Sequence, residues 1–334
     1  MPARTLKPAP PSRPEISREE NAQALLEHLE WTVVRRLDGL LQGNYRTLWR
    51  GAGLDLADLR EYQHHDDVRH IDWNVTARLQ QPYVRQFTED RELSAWFLVD
   101  LSASVDFGSG QATKRSVARS FVAVLARLLT RHGNRVGALL YGSDVDTVIP
   151  ARGGRLHVLH LLQRMAQRPA EAAAGATDLG ALLSAGQRIV KRRSTVFVVS
   201  DFISAPGWER ALAQLARRHD VTAVRLYDPL EMELPDLGLL TMRDAETGEQ
   251  IVVDTHDRGF RARFEAAAAR REEALRAALS RAGVDTLELA TDDDLLDAIL
   301  RFADLRKQRS RLANWSGAGG GVPAHLSALR AVQA

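Results

Sequence analysis

Two stretches of the chain run through mainly β-branched and aromatic residues and then stop on an aspartate: "AWFLVD" at 95–100 and "STVFVVSD" at 194–201. Apolar runs of this kind, without strict alternation, predict strands buried on both faces. Elsewhere the apolar positions recur at helical spacing. Leu25, Leu26, Leu29, Val33 and Leu37 predict an amphipathic helix within 18–41. Val117, Phe121, Val124, Leu128 and Leu129 predict another over 113–131. Further helices are expected at 155–167, 179–191, 208–218, 256–282 and over "DDDLLDAILRFADLRKQ". Further strands are expected at "RVGALLYG" and "DVDTVIP", joined at Gly142-Ser143, and at "DVTAVRLYD" and "VDTLELA". "LGLLTMRDAETGEQIVVDT" reads as a hairpin turning at Glu246-Thr247-Gly248. Strands alternating with helices predict an α/β fold, a doubly wound and mostly parallel sheet with helices on both faces. The stretch 45–90 keeps neither period and is expected to be an irregular α+β segment packed beside the main domain.

These patterns divide the chain into a disordered tail at 1–17, an N-terminal segment at 18–92, the main domain at 93–305 and a flexible tail at 306–334. A hairpin insertion interrupts the main domain at about 236–255.

Charge changes this picture little. In 334 residues, Lys+Arg number 45 and Asp+Glu 43, a net charge of +2 that gives no general attraction to nucleic acid. The chain has no cysteine, which excludes disulfides, thiolate metal sites and thiol nucleophiles. No apolar run approaches the roughly 20 residues of a membrane-spanning helix. The opening "MPARTLKPAPPSRPE" lacks the apolar stretch of an export signal. A cytoplasmic location without a membrane span is the expectation.

The candidate chemistry lies at strand ends. "DLSAS" sets Asp100, Ser102 and Ser104 at alternate positions, "GATDLG" offers Thr177 at the mouth of a helix, and Asp201 closes the second apolar run. Two carboxylates and three hydroxyls from three loops form an all-oxygen set, the chemistry that a hard divalent cation prefers. In doubly wound sheets, ligands bind beyond the carboxyl ends of strands, near the point where strand order reverses. Composition and expected position therefore agree. Read singly, each residue is also a good helix cap. "GSGQATKRS" around Lys114 lacks the glycine immediately before the lysine of a phosphate-binding loop, so no nucleotide site is expected there.

The five residues resemble the metal-ion-dependent adhesion site (MIDAS) of von Willebrand factor A (vWA) domains. The resemblance implies a vWA-like fold and Mg2+, or Mn2+ or Ca2+, held by Asp100, Ser102, Ser104, Thr177 and Asp201. It also implies that a partner's carboxylate completes the coordination. A second resemblance precedes the domain. "LREYQHHDDVRHIDWNVTAR" resembles the DUF58 signature through Arg60, Tyr62, Asp66, Arg69, Ile71, Asp72, Trp73, Thr76, Ala77 and Arg78. His65 stands where glycine is usual, and Val105 where methionine often follows Asp-x-Ser-x-Ser. The arginines can fork onto carboxylates, and Tyr62 and Trp73 can bury flat surface. The segment is thus either a staple onto the main domain or a docking surface. DUF58 proteins are typically encoded beside MoxR-type AAA+ ATPases. The resemblance therefore implies a non-enzymatic, chaperone-like adaptor that presents its metal to an acidic residue of the ATPase or of a client. The alternative is a Mg2+-dependent hydrolase of phosphoesters, for which no base stands beside the oxygen set in the sequence.

Overall fold

The computed structural model describes residues 18–40, 59–63, 68, 71–85, 94–142, 144–167, 177–243 and 249–316. Its centre is a six-stranded sheet of β3 (Ser94–Asp100), β4 (Arg135–Tyr141), β5 (Val145–Arg152), β6 (Thr195–Ser200), β7 (Asp220–Tyr227) and β10 (Asp285–Ala290). The spatial order is β10-β7-β6-β3-β4-β5. Every pairing is parallel except that of β4 with the edge strand β5. The chain leaves β3 toward β4 and β5, then returns to the other flank of β3 with β6. Strand order therefore reverses between β3 and β6, and a crevice opens beyond their carboxyl ends.

Alternate residues of the strands feed two cores. Phe97, Val99, Phe197 and Val199 face one side, with α1 (Arg18–Leu29), α4 (Lys114–Arg131), α5 (Arg155–Ala166) and α9 (Leu295–Ser316). Leu98, Val196 and Val198 face the other, with α6 (Leu179–Ile189), α7 (Trp208–Arg218) and α8 (Arg258–Ala282). The rings of Phe97 and Phe197 stack at 5.1 Å, and Phe121 meets both edge-on. Gly186 lets α6 approach the sheet, since a Cβ there would lie 2.6 Å from Leu98 Cδ2. This is the α/β architecture expected, a mostly parallel sheet covered on both faces.

Three regions refine the expectations. The helix expected within 18–41 is broken by a π-helical turn, Glu30–Val34, between α1 and α2 (Arg35–Leu40). The extra residue puts both Val33 and Val34 into the core. The stretch 45–90 does contain short elements, namely β1 (Leu59–Glu61), α3 (Trp73–Leu79) and β2 (Tyr83–Arg85), with β1 and β2 antiparallel. The third is a correction: α9 runs on to Ser316, so residues 306–316 are helical where a tail is expected. Arg306 explains part of this. It is buried, and its guanidinium bonds Asp220 at 3.0 and 3.2 Å and Asp285 at 3.0 Å, fastening the helix to the amino ends of β7 and β10.

The hairpin expected at 236–255 is present as β8 (Leu239–Arg243) and β9 (Gln250–Asp254), and its turn at 246–248 lies outside the described residues. The same holds for the expected tails at 1–17 and 317–334, and for Ser143. Among the described residues no helix is long and apolar enough to cross a membrane.

Candidate metal centre

Asp100 ends β3 and faces the crevice with no exposed surface. Its Oδ1 accepts from the Ser102 N–H at 2.9 Å, and its Oδ2 accepts from the Ser200 hydroxyl at 2.7 Å. The first bond curls the chain so that Ser102 and Ser104 follow as a 3-10 turn. Their buried hydroxyls lie 3.2 Å apart. Asp201 follows β6 directly, and its Oδ1 accepts from the Ile203 N–H at 3.0 Å. Burial, and then the Asp201 carboxylate, push the Asp100 carboxyl up to about 6. The site thus holds more negative charge than it can easily keep away from water.

Thr177 is buried and tied to the Asp201 loop through its carbonyl, which accepts from Ser204 Oγ and from the Ala205 N–H, each at 2.8 Å. Its neighbour Asp178 donates its N–H to the Tyr141 hydroxyl at 2.9 Å, and Tyr141 is the register partner of Asp100 on β4. Asp100 with its serines and Asp201 thus lie beyond the carboxyl ends of the neighbouring strands β3 and β6, and the Thr177 backbone is tied to the loop that follows Asp201.

The backbone at Phe202 supports a special role for this edge. Its φ is +59, a left-handed value that a bulky residue rarely adopts. The conformation is held by the Phe202 N–H donating to Ser200 Oγ at 2.9 Å and by the ring packing on Trp208, with centroids 5.3 Å apart. Strain of this kind costs about 1–3 kcal/mol and concentrates at functional sites. Here it sits directly after Asp201.

Lys114, which the sequence sets only against a phosphate-binding loop, belongs to this centre. It is the first residue of α4, capped by Thr113, and is 1% exposed. Its Nζ donates to Asp201 Oδ2 at 2.8 Å and to Glu231 Oε1 at 2.7 Å. Burial acts to lower its pKa, but Asp201 and Glu231 outweigh that and hold it above the usual lysine range. A sequence signal existed: a lysine at a helix amino end opposes the helix dipole, so it needs acidic company. Glu231 belongs to a short turn after β7 whose cap is Asp228. Asp228 is buried and accepts from Ser109 N–H, Ser109 Oγ, Thr291 Oγ1 and Leu230 N–H. Burial alone would raise its pKa, but those bonds hold it below the ordinary value. Asp228 thereby clamps the loop leading from the serines to Lys114.

That loop also folds tightly on itself. A Cβ on Gly108 would lie 2.3 Å from the Ala112 carbonyl oxygen and 2.6 Å from Thr113 Cα. Gly108→Ala is expected to lose about 1–3 kcal/mol of stability, measured by urea unfolding, because backbone rather than a side-chain tip must move.

Among the described residues no three His, Asp or Glu side chains gather as a metal-binding cluster. A cation here would depend on hydroxyl oxygens as well. The donor set fits that demand. Ser102 and Ser104 share one hydrogen bond between two buried hydroxyls, and the two carboxylates face each other with one ammonium between Asp201 and Glu231.

The signature residues divide. The Asp72 carboxylate caps α3, accepting from the Asn74 and Val75 N–H groups. The Thr76 hydroxyl accepts from the Tyr83 N–H, and the Tyr62 N–H donates to the Pro82 carbonyl. The ring of Trp73 is 69% exposed, while the neighbouring Asp72 is buried. Arg78 is exposed as well. Asp66, Arg69 and the Arg60 side chain lie outside the described residues.

Comparison with known proteins gives the following. The profile of the family described as "Protein of unknown function DUF58" matches residues 58–274. Uncharacterized proteins of Mycobacterium tuberculosis and Mycobacterium bovis are 40% identical over 287 residues, covering 85% of this chain and 90% of theirs. Among solved structures, an aerotolerance-related membrane protein from Bacteroides fragilis has a TM-score of 0.43 at 13% identity. It spans 65% of this chain and 99% of its own. BatB from Bacteroides thetaiotaomicron gives 0.40 at 16% identity with the same coverage.

Proposed function

Since the chain belongs to the DUF58 family, we propose that it is a metal-dependent protein–protein interaction module rather than an enzyme. In this reading a vWA-like domain serves as adaptor or co-chaperone of a MoxR-type AAA+ ATPase. One observation supports the reading above others: buried carboxylates and hydroxyls from separate loops converge at the crevice where the strand order reverses. Asp100, Ser102, Ser104, Thr177 and Asp201 would hold Mg2+, Mn2+ or Ca2+. The bound cation supplies an electrophilic point for a carboxylate of the ATPase or of a client.

The chain's own residues do the rest. Ser102 and Ser104 offer neutral oxygens, so the two carboxylates supply all the ligand charge. Ser200 and the Ser102 N–H fix the Asp100 carboxylate from both sides. The strained Phe202 backbone sets the direction of the Asp201 loop. On the signature segment, Asp72 and Thr76 hold the fold, which leaves Trp73 and Arg78 as the side that a partner can reach.

Calorimetric titration with Mg2+ and Mn2+ tests the metal. Saturable binding is expected for the wild type, with affinity at least about tenfold lower in Ser102→Ala, which removes one direct oxygen. A melting scan reads this poorly, since a cation at its own Kd adds only about 0.4 kcal/mol. Co-purification with the ATPase, present in Mg2+ and lost in EDTA, tests the partner. Absence of both metal binding and co-purification in the wild type would end this reading.

A further inference from the structure

Lys114 is placed against its local electrostatics. It opens a helix, where the dipole repels an ammonium, and it is shut off from water. Both of its carboxylate partners are close, at 2.8 Å for Asp201 and 2.7 Å for Glu231. Neither contact is incidental. The second oxygen of Glu231 accepts from the Asp228 N–H at 3.0 Å, and Asp228 is anchored by Ser109 and Thr291. A chain of buried or half-buried bonds thus holds the ammonium beside the candidate centre from the far side.

The charges can be counted. Asp100, Asp201 and Glu231 contribute three negative charges and Lys114 one positive, which leaves −2. That sum is equal and opposite to one divalent ion. Without the lysine the same pocket would carry −3. Without Glu231 it would carry −1.

We propose that Lys114, held by Glu231, sets the charge of the cation site. It fits the site to a single divalent ion and keeps the affinity below what the bare carboxylates would give. This role rests on the metal reading above, and neither residue is itself a ligand. Lys114 acts by sharing Asp201 with the cation, and Glu231 acts by fixing Lys114.

Mn2+ titration followed by the electron paramagnetic resonance of the free ion tests this, with circular dichroism to verify folding. Each unit of charge added or removed next to the site is expected to shift affinity about tenfold. Glu231→Gln should bind Mn2+ about tenfold more weakly than wild type. Lys114→Met should bind it about tenfold more tightly. The double variant Lys114→Met/Glu231→Gln, back at −2, should return close to wild type. Where Lys114→Met does not fold, Glu231→Gln and the double variant carry the comparison. A double variant that stays as weak as Glu231→Gln, or a Lys114→Met that binds no tighter than wild type, overturns the charge-setting role and leaves the metal reading standing. Absence of Mn2+ binding in every variant removes both. Binding by Lys114→Met but not by the wild type also removes both, and shows the lysine acting in place of the ion.

Discussion

Lys114→Met is expected to destabilise the cation-free protein by about 3–5 kcal/mol, read from urea unfolding at neutral pH in EDTA. Removing one member of a buried ion pair costs more than the pair contributes, because the partner charge is left without compensation. Here Asp201 is buried and Glu231 is only 18% exposed at its side chain, so two carboxylates lose their ammonium together. Methionine keeps the length and apolar stem of lysine, so packing loss is a minor part. The substituted side chain also removes a charge that opposes the α4 dipole, a relief of up to about 1 kcal/mol that does not alter the sign. A loss below about 1 kcal/mol would mean that water or protons reach Asp201 and Glu231 readily, contrary to the burial described.

Asp100→Asn carries the second large effect, and its signature is pH. The Asp100 carboxyl titrates near 6 in the folded chain against 3.8 for the unperturbed group. The folded state therefore holds this proton more tightly than the unfolded state. The ionised group costs stability that is fully felt above about pH 6 and disappears as pH falls below the unfolded value. At 1.36 kcal/mol per pKa unit, the cost amounts to about 3 kcal/mol. Between about pH 4 and pH 7.5 in EDTA, the stability of Asp100→Asn relative to wild type should rise by about that amount. Titrations of groups that do not interact with Asp100 cancel in the comparison. Asparagine keeps one acceptor for the Ser102 N–H, whereas alanine would leave that donor and the Ser200 hydroxyl without their acceptor. A relative stability that does not change with pH would show that Asp100 is not the strained carboxylate of the pair.

Much of the sheet was legible in the sequence because its strands are buried on both faces and read as apolar runs. Helix 208–218 was legible to the residue, since Gly207 and Pro206 punctuate its start. The π turn at Glu30–Val34 was not. Leu26, Leu29, Val33 and Leu37 satisfy an unbroken helix equally well, and only packing reveals that Val34 is needed inside. The reach of α9 was hidden for a different reason. After Leu305 its sequence turns polar, and the anchor of Arg306 lies on Asp220 and Asp285, strands away. At the candidate centre the five oxygen residues stood out by type and by place in the βα order. Lys114 was seen but judged only against a nucleotide loop. Glu231 and Asp228 gave no signal, because their roles depend on contacts more than a hundred residues apart.

The Arg306 anchor decides how far the chain can be trimmed from its carboxyl end. A cut after it keeps the guanidinium that Asp220 and Asp285 share at the foot of β7 and β10. A cut before it removes the guanidinium that links Asp220 and Asp285 beneath the two strands, whose opposite ends lead to Asp228 and Thr291. Any minimal version of this protein therefore ends beyond Arg306, although the oxygen-lined crevice lies at the other end of the sheet.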